Sequence, residues 1–435
     1  MAQAKQAQAE EKPAGAKAVT LDDVPWILEH TPITHPVLLL GPPGVGKSSV
    51  VKDFGRREAA RMGREPIEYS DRVADAIMAQ PGLYYVIHDI RLSEYVESDF
   101  LGFPRVGEVE VRTVEEVAGV ETAGRFHAHV AEYVPMKWAL TFSRPGVAGL
   151  IFIDELTNVV KPELQSLAYK LVLDRKVGGL DIAPDVRIVG AGNTPDYSSI
   201  ATLLPAPLAS RFAIYYVSPP SVAQWINYIR ERRGRLHPAI AGFLSKAADN
   251  FLRTPDEPET LHNFPNPRSW DMLNSALLSI GEEEAARLGP DGLQAVAQAY
   301  IGPQAAPEFV AFMLLGKYLP EYEEVVEDPG VIFRRAEQAA QETGKGLNRV
   351  GVIHYALATV ANEVTRRGDV EAANRVLAYM REDKRYAEYE AIFTNLLGGA
   401  EWEELVKRGA TMDEETRRRL AERGQRALGK AGRRR

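Results

Sequence analysis

The sequence of 435 residues has no cysteine, which excludes disulfides, cysteine nucleophiles and thiolate-held zinc together. It also lacks any run near the roughly 20 apolar residues that a membrane-spanning helix requires. Met1–Thr20 has no apolar core of a secretory leader, so the expectation is a cytoplasmic protein without membrane insertion. An excess of positive charge is missing too: 52 Lys and Arg stand against 60 Asp and Glu, a formal net charge of −8. That balance disfavours a dedicated nucleic-acid binder, although a local basic patch can survive inside an acidic whole. With 45% hydrophobic and 26% charged residues the composition is that of a globular protein, and the length calls for two or three hydrophobic cores rather than one.

What is present centres on Val37–Ser49, VLLLGPPGVGKSS. A short apolar run, Val37–Leu40, breaks into a loop of glycine and proline, and a helical pattern follows: strand, phosphate loop, helix. The spacing Gly41-x-x-x-x-Gly46-Lys47-Ser48 is that of a P-loop. Gly44 and Gly46 tolerate positive φ and carry no Cβ to push a phosphate away, so successive N–H groups can turn toward one anion. Pro42, Pro43 and Val45 complete the loop, and Ser49 follows in the first helical turn. Lys47 is placed to reach the β- and γ-phosphates of ATP, and the Ser48 hydroxyl to hold Mg²⁺. The helix N-terminus adds partial positive charge at the same point.

The second anchor is Gly149–Glu155, GLIFIDE. A continuous apolar run ending in two acids reads as a central parallel strand whose carboxyl end delivers them to the mouth of the sheet. Asp154 then completes the Mg²⁺ shell, directly or through water, and Glu155 orients the attacking water. Leu83–Ile90 and Val186–Ala191 read as further buried strands, and Pro162–Leu173 as a helix with Leu164, Leu167, Ala168 and Leu171 on one face. Val106–Tyr133 alternates valine with charge and has few large apolar residues, so it is expected to project as a hairpin.

Three polar residues keep two readings each. Asn193, at the tip of a strand, either holds the water beside Glu155 or serves as a turn residue. Arg211 either forms an ion pair within its own subunit or reaches a neighbour's γ-phosphate. Arg268, in the turn Asn266–Trp270 that opens a helix, either points back toward the phosphate loop or lies in solvent. From Pro219 onward strand signals stop and helical periodicity runs to the basic stretch Arg417–Arg435. Met1–Lys17 is too polar to bury anything.

Taken in order, GPPGVGKSS, DIRLSEYVESDFLGFPRV, VPMKWAL, GLIFIDEL, LQSLAYKLVLDRKVGGL, VGAGNTPD, PLASRF and FPNPRSWDML resemble the motif series of MoxR-type AAA+ ATPases, in the dynein-related and magnesium-chelatase-like branch. They include Asp99, Gly102 and Pro104 in the spacing D-x-x-G-x-P. The resemblance covers about Val37 to Leu273 and implies an α/β P-loop core with a central parallel sheet, an all-helical lid and, in this chain, a C-terminal helical extension. The corresponding spans are a disordered tail over 1–20, a core over 21–219 with a hairpin insertion near 106–133, a lid over 220–345 and an extension over 346–435. The resemblance also implies that Gly41–Ser48 is Walker A and that Asp154 and Glu155 are Walker B. It makes Asn193 sensor 1, Arg211 the arginine finger, Arg268 sensor 2 and Arg175–Leu180 a hairpin near a pore.

The activity so implied is ATP hydrolysis with Mg²⁺ in a homo-oligomeric ring, commonly a hexamer. Its work is chaperone-like remodelling of a protein client, or action beside a von Willebrand factor A domain protein. Typical members end soon after the lid, so the extension sets this chain apart. Two rival expectations remain. One is a nucleic-acid-directed motor, favoured by the basic tail and Arg175-Lys176 and disfavoured by the net charge. The other is a nucleotide-gated structural or assembly component.

Overall fold

A computed structural model describes residues 17–117, 120–157, 162–194, 209–253 and 262–397. They fall into two units that divide between Ser218 and Pro219. The basic stretch Arg417–Arg435 and the rest of 398–435 lie outside the described residues.

In the N-terminal unit the apolar runs form a seven-stranded sheet. Its strands are β1 (Ala18–Val19), β2 (Val37–Leu40), β3 (Glu65–Glu68), β4 (Tyr84–Arg91), β7 (Ala148–Asp154), β10 (Val186–Gly192) and β11 (Ala213–Val217). They are ordered β1-β11-β2-β10-β7-β4-β3, and every pairing is parallel. Parallel strands need crossovers, which cover both faces and make central strands apolar throughout. β10 is buried at every position and β7 at every position but Asp154. Successive residues serve opposite faces. Leu38, Ile151, Ile153 and Ile188 join the core beneath α5 (Lys137–Phe142) and α6 (Pro162–Asp174), whereas Val37, Leu39, Phe152 and Val189 join the core beneath α1 (Asp23–His30) and α2 (Lys47–Arg61). In α6 the buried Leu164, Ala168 and Leu171 follow the expected stripe.

Two strands were not among the sequence expectations. β1 lies inside the stretch read as a tail, and its Ala18 and Val19 pair with Tyr216 and Val217. β3, with sequence EPIE, is an almost wholly exposed edge strand, where charge and proline deter further pairing.

Beside the sheet, β5 (Phe103–Val117) and β6 (Val120–Val134) pair antiparallel along their whole length, from Phe103 with Val134 to Val117 with Val120. A capping bond precedes this hairpin, with the Asp99 carboxylate accepting from Val96 N at 2.8 Å. Trp138 Nε1 donates to Asp99 O at 2.8 Å, tying the base of the hairpin to α5. A second, short hairpin joins β8 (Lys176–Val177) and β9 (Leu180–Asp181).

The C-terminal unit is helical in its described residues. Ser221 opens α7 (Val222–Arg233) with a capping box, accepting from Gln224 N at 3.2 Å, and α8 (Pro238–Lys246) follows. Asn266 caps the run Pro267–Met313 through Ser269 N at 3.0 Å. That run breaks at Gly281, Gly289 and Gly302. Further on, α12 (Gly346–Arg367) shares one continuous core with α7, α8 and the later helices, from Trp225 through Phe309 and Leu357 to Phe393. Arg230 of α7 adds a cross-tie, donating to Asn362 Oδ1 at 2.8 Å and to Leu396 O. One hydrophobic core runs across 345/346, where the sequence reading divides lid from extension. Residues on either side of it bury one another's apolar faces.

Three histidines make stability depend on pH, His88 and His354 buried and His237 half-buried. His88 is enclosed by Tyr69, Trp138 and Phe142 at centroid distances of 4.6, 5.5 and 5.7 Å. His237 accepts from Ala239 N through Nδ1 at 3.2 Å, and His354 is buried in the helical unit. Burial pulls all three down to about 4. An unfolded histidine takes up its proton near 6.5, so between pH 6.5 and 4 the unfolded chain binds more protons and stability falls as pH falls. Moving from pH 7 to 5 is expected to cost about 2 kcal/mol per histidine. Urea titrations at both pH values check this, with His88→Phe removing the share of the N-terminal unit. Equal midpoints for the unaltered chain would contradict it.

Candidate functional site

The site is built where β2 ends. At Gly41 a side chain is excluded, since a Cβ would stand 2.5 Å from Val217 O on β11. Gly44 and Gly46 take φ of +73° and +113°, the left-handed turn that lets successive amides converge. α2 begins at once with Lys47, its first turn closed by Val50 N to Gly46 O at 3.0 Å. The earlier amides of the helix therefore have no acceptor within it and form the anion-binding end. Gly41 N also donates to Gly192 O at 3.3 Å, which fixes the start of the loop to the end of β10.

Lys47 is only 7% exposed. Its Nζ donates to Gly41 O and Pro42 O at 2.8 Å each and approaches Asn193 Oδ1 at 3.4 Å. The amine is thus folded over the loop it belongs to, at the edge where β10 delivers Asn193. Ser48 Oγ donates to Asp154 Oδ2 at 2.8 Å. Asp154 uses its other oxygen to accept from Glu155 N at 2.9 Å. Glu155 is exposed and holds φ +58°, a left-handed conformation that costs a non-glycine residue about 1 kcal/mol or more and recurs at functional sites. That elbow ends β7 and leaves Glu155 exposed. The second turn of α2 is anchored as well, by Lys52 Nζ to Asp89 Oδ2 of β4 at 2.5 Å.

Among the described residues no group of three or more His, Asp or Glu is placed to hold a metal unaided. The pair Ser48 and Asp154 nevertheless fits Mg²⁺, which binds through one or two protein oxygens and fills its octahedron with phosphate and water. The structure thus brings Gly41–Ser49, Asp154, Glu155 and Asn193 to one edge of the sheet.

Arg211 is elsewhere. β11 runs parallel to β2 with Ala213 opposite Val37, so Arg211 precedes the end of the sheet away from the phosphate loop. The five strand residues from Ala213 to Val217, the residue that faces Gly41, are four steps along the strand and span about 13 Å. Arg211 starts two residues further back, beyond the reach of its own loop along the strand. It is exposed and has no ion pair or hydrogen bond within the described residues. Arg268 belongs to the C-terminal unit, in the first turn of the run Pro267–Met313, and is likewise exposed. Arg175, read as part of a basic patch, is occupied: its guanidinium donates to Ala183 O at 3.0 Å and Val186 O at 2.6 Å. Lys176 pairs with Asp181 at 3.4 Å.

One residue of the site has no signal in the sequence. Thr157 lies two positions beyond Glu155 and is 4% exposed, and its hydroxyl binds the backbone of Asn193. A lone threonine after a strand carries no motif of its own.

The chain matches no protein-family model and no curated protein. Among solved structures it is similar to that of C. elegans PCH-2, at 13% identity over 67% of this chain and 66% of that one, TM-score 0.28. It is similar to NtrX from Brucella abortus in complex with ADP, at 15% identity over 78% and 67%, TM-score 0.29. A third is the S. cerevisiae Hsp104-ADP complex, at 14% identity over 92% and 50%, TM-score 0.29. This chain therefore spans half of the Hsp104 chain and just under two thirds of the PCH-2 chain. Likenesses this distant say nothing about substrate or partner, and the function rests on the site residues.

Proposed function

We propose that the protein is an ATP-hydrolysing, ring-forming AAA+ remodelling ATPase of the MoxR type. The observation that carries this reading is the convergence of Lys47, Ser48, Asp154, Glu155 and Asn193 around the phosphate loop. The sequence motifs add the family.

Lys47 and the loop amides bind the phosphates and hold them still, and positioning of this kind is most of what phosphoryl transfer requires. Ser48 Oγ and Asp154 would hold Mg²⁺, which would supply neutralisation of phosphate charge. Glu155, exposed at its elbow, orients the attacking water and takes its proton. Asn193 holds the same water from the tip of β10. Arg211 stands at the far end of the sheet from its own loop, so its charge serves the γ-phosphate of an adjacent protomer, which requires a head-to-tail ring. Arg268 is the second arginine assigned to nucleotide sensing. Hydrolysis drives mechanical work on a protein client, with a von Willebrand factor A domain protein as the partner implied by the motif series. The engagement of Arg175 by backbone carbonyls weighs against a nucleic-acid motor.

The test is ATP binding by Lys47→Ala. Loss of the charged hydrogen bonds to phosphate is expected to weaken binding about 50-fold, measured by titration with a fluorescent ATP analogue. Unaltered affinity would overturn the site. Co-purification with the Glu155→Gln protein, which holds ATP, identifies the client.

A further inference from the structure

The hydrogen bonds around the site close into a ring through Thr157. The Thr157 hydroxyl donates to Asn193 O and accepts from Asn193 N, each at 3.0 Å. One side chain thus fixes both backbone polar groups of the residue at the tip of β10. Next to it, Leu156 N donates to Ala191 O at 2.8 Å, and the Leu156 side chain is fully buried. After the elbow at Glu155 the chain is therefore tied to β10 at two successive residues.

The fit is close on the other side as well. A Cβ at Gly192 would lie 2.6 Å from Thr157 Oγ1, so glycine there is what admits the threonine. From Asn193 the path continues through its Oδ1 to Lys47 Nζ at 3.4 Å. From Lys47 it passes to the adjacent Ser48, to Asp154 at 2.8 Å, and back to Glu155.

We propose that Thr157 is a positioning residue that locks the water-holding Asn193 to the segment carrying Glu155, so that the two act on one water as a unit. This rests on the ATPase reading above. Thr157 touches no reacting atom; it acts through Asn193. The physical reason is that Glu155 sits on a strained turn and Asn193 at a free strand tip. Without the hydroxyl the tie at Asn193 itself is lost and the next one, Leu156 N to Ala191 O, lies two residues earlier on β10; misplacement by about 1 Å costs on the order of 100-fold in rate.

The experiment measures ATP turnover and ATP-analogue affinity of the full chain for Thr157→Val, Thr157→Ser and Asn193→Ala. A fourth protein combines Thr157→Val with Asn193→Ala. Valine keeps the volume and removes both hydrogen bonds. Its kcat is expected to fall about 30-fold while the affinity stays within about threefold, and serine is expected to recover most of the rate. In the combined variant the rate is expected to be no lower than in Asn193→Ala alone, because residues acting as one unit are not additive.

A Thr157→Val protein as fast as the unaltered chain would overturn the proposal. So would a combined variant in which the two losses multiply, which marks Thr157 as merely structural. If Thr157→Val does not fold, Gly192→Ala displaces the clamp while the hydroxyl stays, and it is expected to lose rate in the same way; full activity there would overturn the proposal. Should the unaltered chain hydrolyse ATP and Glu155→Gln stop it while Thr157→Val does not, the clamp fails and the ATPase reading stands. Absence of hydrolysis by the unaltered chain would instead remove the reading itself.

Discussion

Arg211→Ala is expected to lower kcat for ATP about 1,000-fold while nucleotide affinity changes little. The size follows from what an arginine at a transferring phosphoryl group supplies, a factor of about 10³ or more. The retained affinity follows from where Arg211 sits. It precedes β11 at the end of the sheet opposite the phosphate loop, so the phosphate contacts proposed for Gly41–Ser49 do not depend on it within one chain. Phe212, its neighbour, is buried, whereas Arg211 is exposed, so truncation removes charge without opening the core. Steady-state turnover together with analogue titration separates the two effects. A loss of affinity matching the loss of rate would show that Arg211 acts within its own protomer.

Glu155→Gln carries the other large effect, an expected fall in kcat of about 100- to 1,000-fold with ATP still bound. Glutamine keeps the size of the side chain and its reach from the strained elbow but accepts a proton poorly. Asp154 and Ser48 remain hydrogen-bonded to each other, so the phosphate and Mg²⁺ end of the site stays assembled. Single-turnover hydrolysis in the presence of Mg²⁺ measures the step directly. Turnover at the unaltered rate would assign the water to another residue.

Much of this architecture can be read in the chain because its strands carry chemistry at their ends. Val37–Leu40, Gly149–Glu155 and Val186–Ala191 are apolar without alternation, which is the mark of strands buried on both faces. Each runs into the residue that matters: Gly41, Asp154 and, two residues on, Asn193. The start of the helix after Asn266 is legible too, since the turn Asn266–Trp270 precedes a helical pattern.

What could not be read is what depends on neighbours distant in sequence. β3 reads EPIE and has no apolar signal, because an edge strand needs none. The insertion of β10 between β2 and β7, which puts Asn193 beside Lys47, is a matter of strand order and not of local pattern. The end of the sheet that Arg211 occupies follows only from register. The periodicity of α12 shows an apolar face without showing that it packs on α8 and α11 (Val331–Thr343). Thr157 went unseen because its partner is the backbone of a residue 36 positions away.

Mixing two inactive proteins tests the central claim most directly. Arg211→Ala retains an intact phosphate loop with Asp154 and Glu155, and Lys47→Ala retains Arg211. In a mixed ring, an Arg211→Ala protomer whose neighbour is Lys47→Ala has every part of one site. Random assembly at equal amounts makes about a quarter of the interfaces of that kind in a head-to-tail ring. The expected result is ATP turnover approaching about a quarter of the unaltered rate, where each variant alone has almost none. Mixed rings shown to form, yet hydrolysing no faster than either variant alone, would contradict a site completed by the neighbouring protomer.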